Sequence, residues 1–426
     1  MKKFFSMFLV FAMALSFAAC GDNKDKQEEY DENAITIMGK KSDLAKSYMT
    51  NISEQYKEST GKNINIISIN DSDYETEAER QFSDGDTPDI FMHFHNADLN
   101  RFDVDNNFCY LNDENWVGDL TDSARSYCTD ENGNLLGLPY WESSVSGCYY
   151  NKTLFDRLGL KPASTQAEFD ALCQTLSEIG YTPICWPADG CSWMMQFGLD
   201  PVFADDPSML RKINNNEINY SDIPQVENMF TWISGAAEKG WFGDKYLETG
   251  MEDISEIMGS GEAVMVFIWD TWFYTDLKEG NEYYVDDFAL MPVFMNTAEN
   301  GTYEGGNLNM MMVNKNSDKK EEALDFLEFC ATEENYNVAF DGISTVSCFK
   351  GQTTNIQSEM VTDASASIAK CERVSTAATR IIGYSADEVA SALNKLFKKE
   401  INVSECIDLM DKYRIKEAEA QGIKGF

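Results

Sequence analysis

Histidine is almost missing from this 426-residue chain, which has only His93 and His95, in one strand-like run. A Ser/His/Asp set needs a histidine brought to a nucleophile from another part of the fold, so this pair offers no material for triad chemistry. The eleven cysteines include no C-x-x-C, and no cysteine stands at ligand spacing from either histidine, which argues against a zinc-type site. Basic residues are also scarce, at 34 Lys and Arg against 72 Asp and Glu, a formal charge of −38. That excess repels nucleic acid and anionic headgroups and disfavours phosphorylated or carboxylated solutes. It suits a neutral or cationic ligand. Residues 103–107 and 130–134 are rich in Asp and Asn, but each lacks the glutamate at the twelfth position that completes an EF-hand, so both read as turns. No internal repeat is visible, and neither a metal nor a cofactor is expected.

Long apolar runs are limited to residues 4–19, which follow Lys2 and Lys3 and end at Ala18-Ala19-Cys20. The run is short for a membrane span and has a small-residue exit, so residues 1–19 read as an export signal. Phe17-Ala18-Ala19-Cys20 resembles a bacterial lipobox, with Phe17 where Leu is usual. The resemblance implies lipidation at Cys20, and residues 20–33, charged and with little to bury, would form the tether. The chain beyond the tether is long enough for two lobes with real cores. Cys185 and Cys191 are the one close cysteine pair; a disulfide there and free buried thiols are both open readings.

The remainder alternates strand and helix signals. Residues 34–38, 64–69 and 88–94 read as strands. Leu44, Tyr48, Ile52 and Tyr56 share one face of a helix capped at Ser42 or Asp43. Residues 96–102 start another helix. Thr165 with Glu168, and Ser385 with Glu388, read as capping boxes, and residues 224–239 form a helix turning Val226, Met229, Phe230, Ile233 and Ala237 inward. This alternation predicts an α/β fold with a doubly wound sheet and ligand-contacting loops at strand ends. Trp232 and Trp241, on or just after that helix, are expected in the core.

Four segments in order carry a family resemblance. Residues 133–176 (GNLLGLPYWESSVSGCYYNKTLFDRLGLKPASTQAEFDALCQTL) join a G-x-x-x-G-L-P turn to a polar and aromatic patch, a strand and two helices. DTPDIF at 86–91, GEAVM at 261–265 followed by Trp269 and Trp272, and Gly305-Gly306-Asn307 ahead of a strand and helix complete the set. Together they resemble the bacterial extracellular solute-binding proteins of family 1, the substrate-binding lipoproteins of carbohydrate ABC importers.

The resemblance implies a two-lobed type II periplasmic-binding-protein fold, each lobe a mixed sheet flanked by helices, with a cleft between. The expected lobes are residues 34–140 with 305–344, and 146–292 with 346–426, joined at 141–145, 293–304 and 345. Sugar sites pair aromatic plates with amides and carboxylates. The residues so placed are His95, Asn96, Tyr140, Trp141, Glu142, Ser144, Asp189, Trp193, Trp269, Asp270, Trp272 and Asn307, with Trp269 and Trp272 competing for one role. The implied function is a monomeric, lipid-anchored receptor on the outer face of the cytoplasmic membrane that hands a carbohydrate to an ABC permease. A peptide or polyamine receptor is the alternative. A glycoside hydrolase, for which Glu142 and Asp270 could be nominated as the two carboxylates, and a surface adhesin are less favoured.

Overall fold

The structure, a computed structural model, describes residues 31–142, 144–188, 194–269, 273, 277, 287–297, 301–305 and 307–426. The export signal and most of the tether lie outside the described residues. No helix among those residues is long and apolar enough to cross a membrane.

Two mixed sheets organise the chain. The first contains β1 (Ile35–Lys40), β2 (Ile64–Ile69), β3 (Ile90–Phe94), β4 (Leu138–Pro139) and β10 (Asn309–Val313), in the order β2-β1-β3-β10-β4. β1 runs parallel to β2 and β3, whereas β10 runs antiparallel to β3, with Asn309 opposite Phe94. The C-terminal ends of the parallel strands and the start of β10 therefore share one rim, where ligands bind in open α/β sheets. The second sheet contains β5 (Val145–Asn151), β6 (Thr182–Ile184), β7 (Ala263–Trp269), β8 (Phe288–Met291), β9 (Thr302–Gly305) and β11 (Glu372–Val374), in the order β11-β9-β5-β7-β6, with β8 on the far half of β5.

Each sheet has its own core. The first gathers residues from Ile35 to Tyr140 and from Leu308 to Phe349, the second from Val145 to Tyr303 and from Met360 to Met410. Two details differ from the boundaries read in the sequence. Residues 293–304 include β9, which pairs with β5 and β11 inside the second sheet. Cys348 and Phe349 belong to the first core, because Phe349 stacks on Tyr336 with ring centroids 4.4 Å apart.

Local chemistry explains most elements. Gly137 of the G-L-P turn lies under β10, where a Cβ would come within 2.8 Å of Met310 Cβ and 2.9 Å of the Met311 carbonyl, so only glycine fits. Thr165 caps its helix as expected, accepting from the Glu168 amide at 3.2 Å, but Glu168 reaches back to the Ser164 amide at 2.8 Å. Ser385 accepts from the Glu388 amide. The helix Pro224–Glu238 buries Val226, Met229, Phe230 and Ile233, with Ala236 deeper than Ala237. Trp241 is buried, and Trp232, half-buried beside it, donates to Asp170 at 3.0 Å. Residues 130–134 form a turn in which Asp130 accepts from the amides of Asn132 and Asn134.

The single helix expected from Leu44 to Tyr56 is in fact two. A short helix Lys41–Leu44 precedes Ser47–Thr60, whose inward face is Tyr48, Met49, Ile52 and Tyr56. Asp43 caps nothing. Its carboxylate is turned inward to accept from Asn309 Nδ2 at 2.7 Å. Cys185 is a free, buried thiol pushed up to about 12 by burial, and Cys191 lies outside the described residues.

Candidate functional site

The rim of the first sheet gathers a compact group. Trp141, on the segment leaving β4, is half-buried and meets Tyr48 and Phe94 edge-to-face, at 6.1 and 5.3 Å between centroids. Lys46, at the break between the two helices, places Nζ 5.4 Å from the indole centroid and pairs with Glu142 Oε1. Both charged side chains are partly exposed, so the ion pair contributes no more than about 1 kcal/mol and the cation–π contact about 0.5–1 kcal/mol. The arrangement holds an indole on edge-on aromatic supports, with a cation and a carboxylate at its border.

Beside it, Lys40 at the end of β1 pairs with Glu75 at 3.3 Å, and Glu75 meets His93 Nε2 at 2.8 Å while His93 Nδ1 faces the Phe94 carbonyl at 2.7 Å. Burial alone would raise Glu75, but the hydrogen bond and charge of His93, with Lys40 behind them, hold its carboxyl down to about 2. Asp43 is shifted the other way, raised by burial. Asn309 Oδ1 is buried with no hydrogen-bond partner among the described residues.

The site residues read from the sequence fall into three groups. Trp141 and Glu142 stand together at the rim, and Asn96, close by, caps the 3₁₀ turn Ala97–Phe102 by accepting from the Asp98 amide at 3.1 Å. His95, Tyr140 and Ser144 are buried, at 7%, 0% and 5% exposed. Tyr140 fills the first core, 6.2 Å from Tyr48 and 5.0 Å from Phe340. His95 turns toward residue 127, with Nδ1 donating to the Tyr127 carbonyl at 2.7 Å, and burial with the nearby Arg380 charge holds it neutral. Asn307 accepts from the Tyr127 hydroxyl at 3.4 Å, and Trp269 is half-buried opposite Ser146 on the second sheet. Asp189, Trp193, Asp270 and Trp272 lie outside the described residues.

Lys46 and Asn309 went unread, and Asp43 was read only as a helix cap. Lys46 was hidden because the pattern suggested an unbroken helix there, and its partner Glu142 is 96 positions away. Asn309 carries no signal beyond standing at a strand start.

A separate cavity of about 970 Å³ lies between the lobes, lined by Ser126, Thr129 and Asp130 from the first and Leu210, Arg373 and Arg380 from the second. None of the Trp141 group lines it.

Comparison with known proteins gives three results. The family profile described as bacterial extracellular solute-binding protein matches residues 41–337, more than half of the chain. A multiple sugar-binding protein of Streptococcus mutans is 24% identical over 257 residues, 58% of this chain and 60% of that protein. The chain thus matches less than two thirds of that relative. Among solved structures, a putative binding protein MsmE of Bacillus subtilis in an open conformation gives a TM-score of 0.75 at 14% identity, covering 91% of this chain and 98% of that one. The solute-binding protein RafE in complex with raffinose gives 0.66 at 14% identity, covering 90% and 99%. At such identities the likeness establishes the two-lobed fold.

Proposed function

Because the chain belongs to the bacterial extracellular solute-binding proteins, we propose that it captures a sugar or oligosaccharide between its lobes and delivers it to an ABC permease without transforming it. The observation that carries this reading is the Trp141 indole, held on edge at the strand-end rim with Lys46 and Glu142 at its border. A sugar ring has an apolar C–H face to lay on an indole and a rim of hydroxyls for such donors and acceptors. The names of the relatives point the same way, one as a multiple sugar-binding protein and one in complex with raffinose. Asn96 and Asn307 would complete the first wall, and Asp189, Trp193, Trp269, Asp270 and Trp272 the second.

A thermal-shift screen of the mature chain against oligosaccharides tests this directly. A ligand at 100 times its dissociation constant stabilises by about 2.7 kcal/mol, so cognate sugars stand out. A rise with peptides or polyamines, and none with sugars, would overturn the carbohydrate reading. Affinity for an uncharged sugar should also stay flat between low and high salt by calorimetry. A steep fall with salt means a charged solute.

We further propose that the chain is exported and anchored through Cys20. Two or three acyl chains give stable attachment where one gives marginal binding, at about 0.8 kcal/mol per buried CH₂. Cys20→Ser should therefore release the protein from washed membranes. Equal retention of variant and wild type would remove the anchor.

A further inference from the structure

One buried assembly outside the Trp141 group bridges the two lobes. Arg380, in a 3₁₀ turn (Ala378–Arg380) packed on the second core, is 7% exposed, and its guanidinium reaches across to the first lobe. Nη2 donates to the Tyr127 carbonyl at 3.0 Å, Nη1 approaches the Thr129 carbonyl at 3.5 Å, and the guanidinium stands 5.3 Å from the Tyr127 ring centroid. The same Tyr127 oxygen accepts from His95, which follows β3 at the rim. A carbonyl has two lone pairs, and here one serves each lobe. Ser126 and Ser375 meet alongside at 2.9 Å, while Asn214 ties the Arg380 carbonyl and the Ile382 amide to the second lobe.

Behind the turn lie two carboxyl groups closed to water. Asp200 is fully buried and accepts from the Ala377 and Ala378 amides at 2.9 and 2.7 Å, the residues that lead into Arg380. Glu304, 1% exposed, is on β9 next to the segment that crosses to the first lobe, and its charge is coupled to that of Asp200. Asp200 Oδ2 and both Glu304 oxygens are buried with no hydrogen-bond partner among the described residues. Two coupled carboxyl groups closed to water do not both stay ionised, so one of them carries a proton. Asp200, already holding two amides, is the better place for negative charge, and Glu304 keeps the proton. The groups facing the pair from packed elements are Arg380 of the turn, Thr376 after β11, and Ser146 of β5, opposite Glu304; Thr376 donates to the Gly305 carbonyl at 3.0 Å, and Arg373, opposite Tyr303, is on the other face of the sheet.

We propose that Arg380 is a positioning residue for solute capture, a strut that sets the angle between the lobes through the Tyr127 carbonyl, and that ionisation of the buried Asp200–Glu304 pair switches its hold. The capture half of this rests on the function proposed above. The strut itself does not.

Burial lifts Asp200 to about 6 and Glu304 well above the usual carboxylate range. Free carboxyls titrate near about 4, so between there and pH 6 the folded pair holds protons that the unfolded chain has released. The Asp200 part of that contribution is full at the acid end and lost as pH rises through 6, while the Glu304 part is lost only at higher pH. Over the same interval a charge appears on Asp200, directly beneath the amides that present Arg380.

The test is small-angle scattering of the solute-free mature chain between pH 5 and pH 8, followed by calorimetry with whichever sugar the thermal screen selects. In the wild type, the radius of gyration and the sugar affinity both shift across pH 6, affinity by about fivefold, the low end of couplings between distant sites. Asp200→Asn keeps an oxygen for the two amides but cannot ionise, and its profile should be flat in both readouts. Arg380→Gln should be flat as well, because the switch no longer reaches the first lobe, and Arg380→Lys should restore part of the shift. A wild-type radius of gyration that ignores pH, or an Asp200→Asn profile that still follows the wild type, would overturn the strut. If scattering behaves as stated while no sugar binds, the strut stands and the carbohydrate reading fails.

Discussion

Tyr140→Ala lowers the unfolding free energy by about 3–5 kcal/mol, the cost of removing a large aromatic from a packed interior, and Tyr140→Phe leaves stability unchanged or slightly raised. The ring packs edge-on against the stacked pair Tyr48 and Phe340 in the first core, so truncation opens a cavity that those neighbours cannot fill. The hydroxyl is buried without a hydrogen-bond partner among the described residues. A buried polar atom with no partner has already lost its water, and deleting it removes that cost. Chemical denaturation of the two variants measures both terms. The pair also decides the residue's role, because a Tyr140 that held a sugar by its hydroxyl would lose affinity as Phe with no change in stability. That outcome would return Tyr140 to the site.

Trp141→Ala shows the opposite signature, a loss of about 1–3 kcal/mol of binding, or 5- to 150-fold in affinity, with a much smaller effect on unfolding. The side chain is half-buried and supported at its edges by Tyr48 and Phe94, so part of its area is available to a solute. Full burial of an indole hides 150–250 Å², worth about 4–6 kcal/mol at 25 cal/mol per Å². Only one part of the ring meets a ligand, and ordering costs reduce the remainder. Trp232→Ala is the control, since its ring packs near Trp241 and its N–H is bonded to Asp170; it lowers stability and leaves affinity alone. Calorimetry on the sugar found by thermal shift separates the two. Wild-type affinity in Trp141→Ala would place the solute elsewhere, with Trp193→Ala and Trp272→Ala the next variants to measure.

The sequence made the scaffold legible and the site only in part, for a physical reason. Strand and helix periodicity is local, so β1 to β3, the caps at Thr165 and Ser385 and the inward face of Pro224–Glu238 could be read from neighbours within a few positions. Polar and aromatic residues at a crossing carry no such period. Tyr140 and Trp141 are adjacent in the chain, yet one points into the core and the other to the rim, and nothing in their composition separates them. His95 looked available because it follows a rim strand, but Tyr127 and Arg380 close over it from distant segments. Lys46 became visible only once the helix proved to be broken and Glu142 came within reach. Pairings of that range are set by the finished fold.

The order in which strands enter the first sheet also constrains when this protein can fold. β10 sits between β3 and β4 and supplies their shared hydrogen bonds, yet it ends at Val313, long after both in the chain. Until it emerges from the ribosome, β3 and β4 each present an unpaired edge. The second sheet waits longer, because β11 and the helices packed on its core end at Ala420. Such late, non-local closure makes folding slow and keeps the nascent chain open. For a protein destined for the outside of the cell, that delay extends the time in which the chain can be threaded across a membrane before it folds. A fragment ending before Asn309 should accordingly stay unfolded and protease-sensitive, whatever the stability of the whole.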